Sequence, residues 1–348
     1  MSIPVWGTEP FNRSSNETFS TCEQRHGAWI GYVFMVVYSL VFLMGLLLNG
    51  LTLKVFQRGA RSSRCVTVYL KNLAAADFLL TLCLPFRIAK HAGAFRLHLW
   101  VYCSFGAPAF YLNMYASILF MGYIAANRYL KIVHPLGTHS LQSVRAAHVV
   151  STISWLVLLT LAGTYVVLSL VSGQALTRPS SCEEQLSGQL KVFYKAAHVF
   201  SAAIFLLVLA ALLFFYGSTS RRLAAVQRRR PSSSGSRRLA RSRRNMLVLS
   251  AIFCVCFVPY HLVRLPYAVS EHADGSAFFY LKEAAVALSV LNVCLDPLIY
   301  FTFCKAFRQQ PGRGGAIASA KLAIANPETS DGQMLKKTSG YPSTTDFT

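Results

Sequence analysis

Asn292-Val293-Cys294-Leu295-Asp296-Pro297-Leu298-Ile299-Tyr300 lies inside an apolar stretch near the carboxyl end of the chain. It puts an ionisable carboxylate and a helix-breaking proline where a lipid-facing helix tolerates neither. A carboxylate at membrane depth is costly unless it faces a bundle interior, water or an ion, so Asp296 is by default a functional-site candidate. Pro297 frees a backbone carbonyl, which a neighbouring helix or water must satisfy.

That reading requires a membrane, and the composition supplies one. Of 348 residues, 54% are hydrophobic and only 14% charged, against about 25% charged in ordinary soluble domains; the mean hydropathy is +0.42. Stretches long enough to span, about 20 apolar residues for a core of about 30 Å, fall near 29–55, 66–89, 101–127, 147–171, 193–216, 246–269 and 279–303. The expected fold is therefore all-α, a seven-transmembrane helix bundle (29–310), with a polar tail before it (1–28) and a disordered Ser/Thr-rich tail after it (311–348). A short amphipathic cytoplasmic helix is expected from Cys304 onward, with Cys304 a candidate palmitoylation site. No cleavable signal peptide is evident ahead of the first span.

The net charge of +21 invites a nucleic-acid partner, but its placement argues against one. Acidic residues are absent between Asp77 and Glu183 and between Glu184 and Glu271, and the bases cluster in alternate loops: Arg58, Arg61 and Arg64; Arg128, Lys131 and Arg145; and the run from Arg221 to Arg244. By the positive-inside rule those loops are cytoplasmic, the amino terminus is extracellular and the carboxyl tail is inside. The expected location is the plasma membrane. Asn12 and Asn16 head glycosylation sequons on the outer side. Residues 227–244 read as a flexible basic segment, either a tether near anionic membrane lipids or a docking surface.

Nine cysteines in scattered positions make neither a disulfide scaffold nor a metal site. Cys103, opening the third span, and Cys182, in the second outer loop, are placed to pair in an oxidising compartment.

Asp77, Asn113, Ser117, Asn292 and Asp296 lie at membrane depth, with Asn113 and Ser117, and likewise Asn292 and Asp296, four residues apart and so on one helix face. Oxygen-rich ligands with one or two carboxylates suit a small hard cation such as Na⁺, an allosteric ion rather than a cofactor. The alternative is a hydrogen-bond network between helices.

Gly45 to Asn49, Leu73-Ala74-Ala75-Ala76-Asp77, Asn127-Arg128-Tyr129, Trp155, Phe253 through Pro259, and Asp296 through Tyr300 recur in the order and spacing of one family. The chain resembles the rhodopsin-like G-protein-coupled receptors over about residues 29–310. The resemblance implies Na⁺ in the Asp77 cluster, G-protein contact at Arg128, and inward movement of Tyr216 and Tyr300 on activation. It also implies a heterotrimeric G protein, arrestin and receptor kinases as partners. Three positions depart from the family pattern: Asn127 replaces the usual Asp beside Arg128, Phe257 replaces Trp, and Val208 stands where the fifth span usually has proline. Losing the Asp–Arg contact weakens a resting-state restraint by about 1 kcal/mol, so raised basal signalling is expected.

His261, Arg264 and Tyr267 recur at spacing three on the sixth span, and Lys282-Glu283 opens the seventh. Arg264 and Lys282 lie far from the cytoplasm, so an anionic ligand group is the economical explanation. Arginine binds phosphate or carboxylate bidentately, while lysine acts as a mobile point charge. The alternative is snorkelling together with a local pair of Glu283 with Lys282 or Arg264. Tyr111 and Tyr115 can meet a ring.

The run Cys256 to Tyr267, with Tyr69 to Asn72, Phe110 to Tyr115, Lys282-Glu283 and Asn292 to Pro297, is similar to the purinergic branch, especially receptors for ADP and UDP-sugars. That similarity implies phosphates on His261, Arg264 and Lys282, a base or sugar near Tyr111 and Tyr267, and inhibitory G proteins. It differs in lacking a third-outer-loop cysteine to pair with Cys22. Lysophospholipid and platelet-activating-factor receptors also read a phosphate, and a constitutively active receptor without a ligand is a further alternative. A transporter should show repeated broken helices and an enzyme a constellation of reactive groups; the sequence shows neither, so no enzymatic activity is expected.

Overall fold

Apolar stretches of this length can satisfy their backbone in lipid only as helices, and the computed structural model has seven. It describes residues 14–58, 65–92, 100–133, 142–172, 182, 186, 188–229, 234–269 and 276–303, with side chains outside 14–28, 234, 265–269 and 276–279. Helix α1 runs Ser14–Arg58, α2 Cys65–His91, α4 Val144–Val171, α5 Gly188–Arg229 and α6 Ser234–Val269. Helix α3 begins as a wide π turn, Tyr102–Gly106, and continues as Ala107–Val133. Helix α7 is split at Leu291 into Ser276–Val290 and Asn292–Phe303. Among the described residues, seven helices are long and apolar enough to cross a membrane.

α2, α3, α6 and α7 are the more buried of the set, whereas α1, α4 and α5 present Leu, Val and Ile outward, as at Leu43, Ile153 and Leu207. With no hydrophobic drive between helices in lipid, close packing and polar contacts must hold them together. Gly45 shows the packing: a Cβ there would lie 2.6 Å from Thr81 Oγ1 and 3.1 Å from Val293 Cγ2, so only glycine lets α1 approach α2 and α7 this closely. Trp155 Nε1 donates to Asn72 Oδ1 at 2.9 Å, joining α4 to α2.

Pro297 has no N–H for the carbonyl of Val293, one turn earlier, and Asn49 Nδ2 of α1 donates to that carbonyl at 2.8 Å. The acceptor released by proline is thus satisfied from a neighbouring helix. The split at Leu291 adds tight bonding, with Cys294 N donating to Leu291 O at 3.0 Å. In α5, Val208 stands in an unbroken helix and packs 3.1 Å from the Cβ position of Gly122 on α3.

The expected flexible segment 227–244 is corrected. α5 continues to Arg229 and α6 starts at Ser234, so most of the basic run is helical. Arg, Leu, Ala and Gln are good helix formers, Leu223 and Ser236 are buried, and Thr219 Oγ1 donates to Met246 Sδ at 3.4 Å. The tail expected at 311–348, the helix expected from Cys304 and the sequon at Asn12 lie outside the described residues, as do the side chains of Asn16, Cys22 and Tyr267.

Candidate functional site

The disulfide Cys103–Cys182 ties the segment between α4 and α5 to the start of α3. Beneath it, α2 through α7 surround a cavity of about 220 Å³. Tyr111, Tyr115, Arg264 and Lys282, four of the residues singled out from sequence, line it. Arg264 donates to the Tyr194 hydroxyl of α5. Its guanidinium carbon sits 5.9 Å from the Tyr111 ring centroid and 5.7 Å from that of Tyr194, within cation–π reach. Leu158, Leu161 and Ala162 of α4 with Phe193 and Ala197 of α5 form an apolar wall.

His261 is not on the cavity lining. It lies one turn below Arg264, where Nε2 and the Tyr115 hydroxyl are 3.0 Å apart and the imidazole stacks on Phe205 with 3.7 Å between centroids. Its contact with the cavity is through Tyr115. Phe257 is fully buried and meets Phe253 edge to face at 5.3 Å.

Glu283 takes its place away from its sequence neighbours. It accepts from Arg87 Nη2 at 2.7 Å and from Lys90 Nζ at 2.8 Å, both on α2 and more than 190 positions away. Arg87 also donates to the Tyr102 hydroxyl at 2.9 Å and lies 5.2 Å from the Tyr38 and Phe110 ring centroids. Helix packing, rather than sequence adjacency, brings the α2 cations Arg87 and Lys90 to Glu283. Arg87 and Lys90, and Phe193, Tyr194 and His198 of α5, are cavity residues that sequence reasoning missed. Arg87 and Lys90 carried a legible signal, cations at the end of an apolar span that the positive-inside reading expects to face outward; the aromatic residues of α5 carried none.

Lower in the bundle, Asp77 is fully buried and accepts from Ser117 Oγ at 2.9 Å, Asn292 Nδ2 at 3.3 Å and the Tyr300 hydroxyl at 2.9 Å. Asp296 lies beside Asp77 in electrostatic contact, and neither of its oxygens accepts a hydrogen bond of ordinary geometry. Asn113 Nδ2 turns back to Ala109 O at 2.8 Å, and the side-chain oxygens of Asn113 and Asn292 are likewise buried without donors. Buried acceptors outnumbering donors is the arrangement a small cation fits, because uncompensated burial of charge is costly.

At the opposite end, Asn127 does not pair with Arg128; its Nδ2 donates to Cys65 Sγ at 3.1 Å. Arg128 donates to Phe303 O at 3.1 Å and lies 4.6 Å from the Phe303 ring centroid. Asn245 Nδ2 of α6 donates to Thr302 O at 3.2 Å, so successive carbonyls of α7 receive α6 and α3. Tyr129 stacks on Phe215 at 4.7 Å, and Tyr216 and Pro259 are half-buried.

Residues 48–300 match the family described as 7 transmembrane receptor (rhodopsin family). The chain is 36% identical over 287 residues to purinoceptor 14 of Bos taurus, covering 80% of this chain and 83% of that protein. It is 32% identical over 321 residues to purinoceptor 13 of Homo sapiens, covering 88% and 89%. With G-protein coupled receptor 87 of Mus musculus it shares 31% identity over 319 residues, 87% of each chain. These relatives are receptors and not enzymes. With its spans, its buried carboxylates and these matches taken together, the chain belongs to the rhodopsin family of seven-transmembrane G-protein-coupled receptors, in its purinergic branch.

Proposed function

We propose that this receptor lies in the plasma membrane with its amino terminus outside, and binds an extracellular phosphate-bearing ligand, a nucleotide or nucleotide-sugar, signalling through inhibitory G proteins. The observation that carries this reading is Arg264 and Lys282 on one cavity with Tyr111 and Tyr194 beside the guanidinium: cations for phosphate next to rings for a base. Two of the relatives are named purinoceptors. The apolar wall of Leu158, Leu161 and Phe193 favours a second reading, a lysophospholipid whose chain lies on that wall.

Ligand binding acts by population shift and can move the equilibrium only by its differential affinity for two states. A phosphate on Arg264 and Lys282 draws the ends of α6 and α7 together, the hydrogen bonds of Tyr300 and Asn292 to Asp77 rearrange, and α6 pivots near Pro259, separating Asn245 from Thr302. Arg128 then leaves Phe303 for the G protein. Asp77 and Asp296, with oxygens of Asn113, Ser117 and Asn292, would hold Na⁺, which would supply charge neutralisation favouring the resting arrangement. Arrestin, receptor kinases and anionic lipids meet the basic cytoplasmic ends of α5 and α6.

Screening nucleotides, nucleotide-sugars and lysophospholipids against G-protein nucleotide exchange tests the ligand class. Arg264→Ala is expected to lower agonist potency by at least about tenfold, the loss of one charge-assisted contact, at unchanged surface expression. Unchanged potency for every phosphate-bearing agonist refutes the assignment.

A further inference from the structure

Glu283 is a carboxylate on a wall otherwise suited to anions. Its side chain is 1% exposed and Arg87's 5%, while Lys90 is 23% exposed, and His91 Nε2 lies 3.5 Å from Glu283 Oε2. Among the described residues, Arg87, Lys90, Arg264 and Lys282 bring four cations to the cavity and Glu283 brings a single carboxylate. The carboxylate is therefore a fixed fraction of the cavity's charge, and it is seated at one side. It spans the α2–α7 seam, where Arg87 is further held by the Tyr102 hydroxyl and the faces of Tyr38 and Phe110. The backbone of Glu283 takes part too, its carbonyl accepting from the Tyr38 hydroxyl at 3.5 Å.

We infer that Glu283 is a specificity-determining residue, an internal counter-anion that occupies Arg87 and Lys90, directs the ligand's phosphate to the Arg264 and Lys282 side, and limits how much negative charge the site accepts. This rests on the reading of the cavity as a phosphate site. A ligand phosphate approaching α2 meets cations already engaged at 2.7 and 2.8 Å and a carboxylate that repels it. A phosphate on the α6 side meets no described carboxylate. Neutralising Glu283 returns two cations to the cavity, and each additional ligand charge gains from the change. A purely structural role for Glu283 would instead weaken all ligands together.

The test uses the full-length receptor in nanodiscs and measures binding of UMP, UDP and UTP, which share a base and differ in charge. Pyrophosphate and tripolyphosphate carry charge without a base, so their ratio reports on Glu283 even where no nucleotide binds. That separates failure of this inference from failure of the nucleotide reading. Glu283→Gln is expected to shift preference toward the more highly charged member by about tenfold per added charge, the order of a unit charge acting over about 10 Å at an effective dielectric of about 20. Lys90→Gln, which leaves Glu283 paired with Arg87 alone, is expected to shift it the other way. Should Glu283→Gln fail to fold, the Lys90 variant alone decides. Affinities that fall equally for every anion, or preferences unchanged in the variants, overturn the inference.

Discussion

Asn49→Ala removes the donor that compensates for Pro297, and its cost should depend on whether that proline is present. In the native chain the Val293 carbonyl accepts from Asn49 Nδ2 at 2.8 Å. Deleting the amide leaves a buried acceptor unsatisfied, which costs about 1–3 kcal/mol. In a Pro297→Ala background, residue 297 regains an N–H one turn from Val293 and can donate in the ordinary helical manner, so the same deletion should cost about 1–2 kcal/mol less, the range typical of coupled neighbours. The other bond of Asn49, to Gly45 O at 3.2 Å within α1, is lost in both backgrounds and cancels. The assay is thermal unfolding of the four purified proteins in nanodiscs. At about 2–4 °C per kcal/mol for domains of about 150–250 residues, Asn49→Ala should lower the midpoint by several degrees in the native background and by clearly less when combined with Pro297→Ala. Equal, additive shifts would refute the claim that Asn49 answers the proline.

Gly45→Ala forces a methyl to within 2.6 Å of Thr81 Oγ1 and should destabilise by about 1–3 kcal/mol; adding Thr81→Ala, which removes the two nearest opposing atoms and leaves Val293 Cγ2 at 3.1 Å, should recover part of the loss in the same melts. Asn127→Asp supplies Arg128 with an acidic neighbour and should lower agonist-free nucleotide exchange by about fivefold, equivalent to about 1 kcal/mol; unchanged basal exchange would show that Phe303 already provides the restraint. Asp296→Asn should remove the effect of replacing Na⁺ by choline on agonist affinity, and an effect of the same size in the variant would exclude Asp296 as a cation ligand.

Asp77, Ser117 and Asn292 were legible as one cluster because four-residue spacing fixes a helix face and membrane depth penalises solitary polar groups. Cys103 and Cys182 were legible because topology left them on one side. His261 shows where face arguments stop. Spacing of three places it under Arg264, but α5 covers it with Phe205 and α3 meets it with Tyr115, leaving it beneath the cavity. The helical state of 227–229 and 234–244 was hidden by the Pro, Ser and Gly content of the run, since burial of Leu223, Ser236 and Met246 is a property of the paired helices.

The amino-acid sequence by itself determined the seven spans, the polar positions at membrane depth and the need for some neighbour to answer Pro297, because each follows from hydrocarbon thickness, helix period and proline's missing donor. Only the tertiary structure decided which neighbour: Asn49 for the freed carbonyl, Arg87 and Lys90 for Glu283, and Phe303 for Arg128. Those choices depend on the rotation and depth at which α1, α2, α3 and α7 settle against one another. Close contacts such as Gly45 on Thr81 set that depth, and local sequence does not encode it.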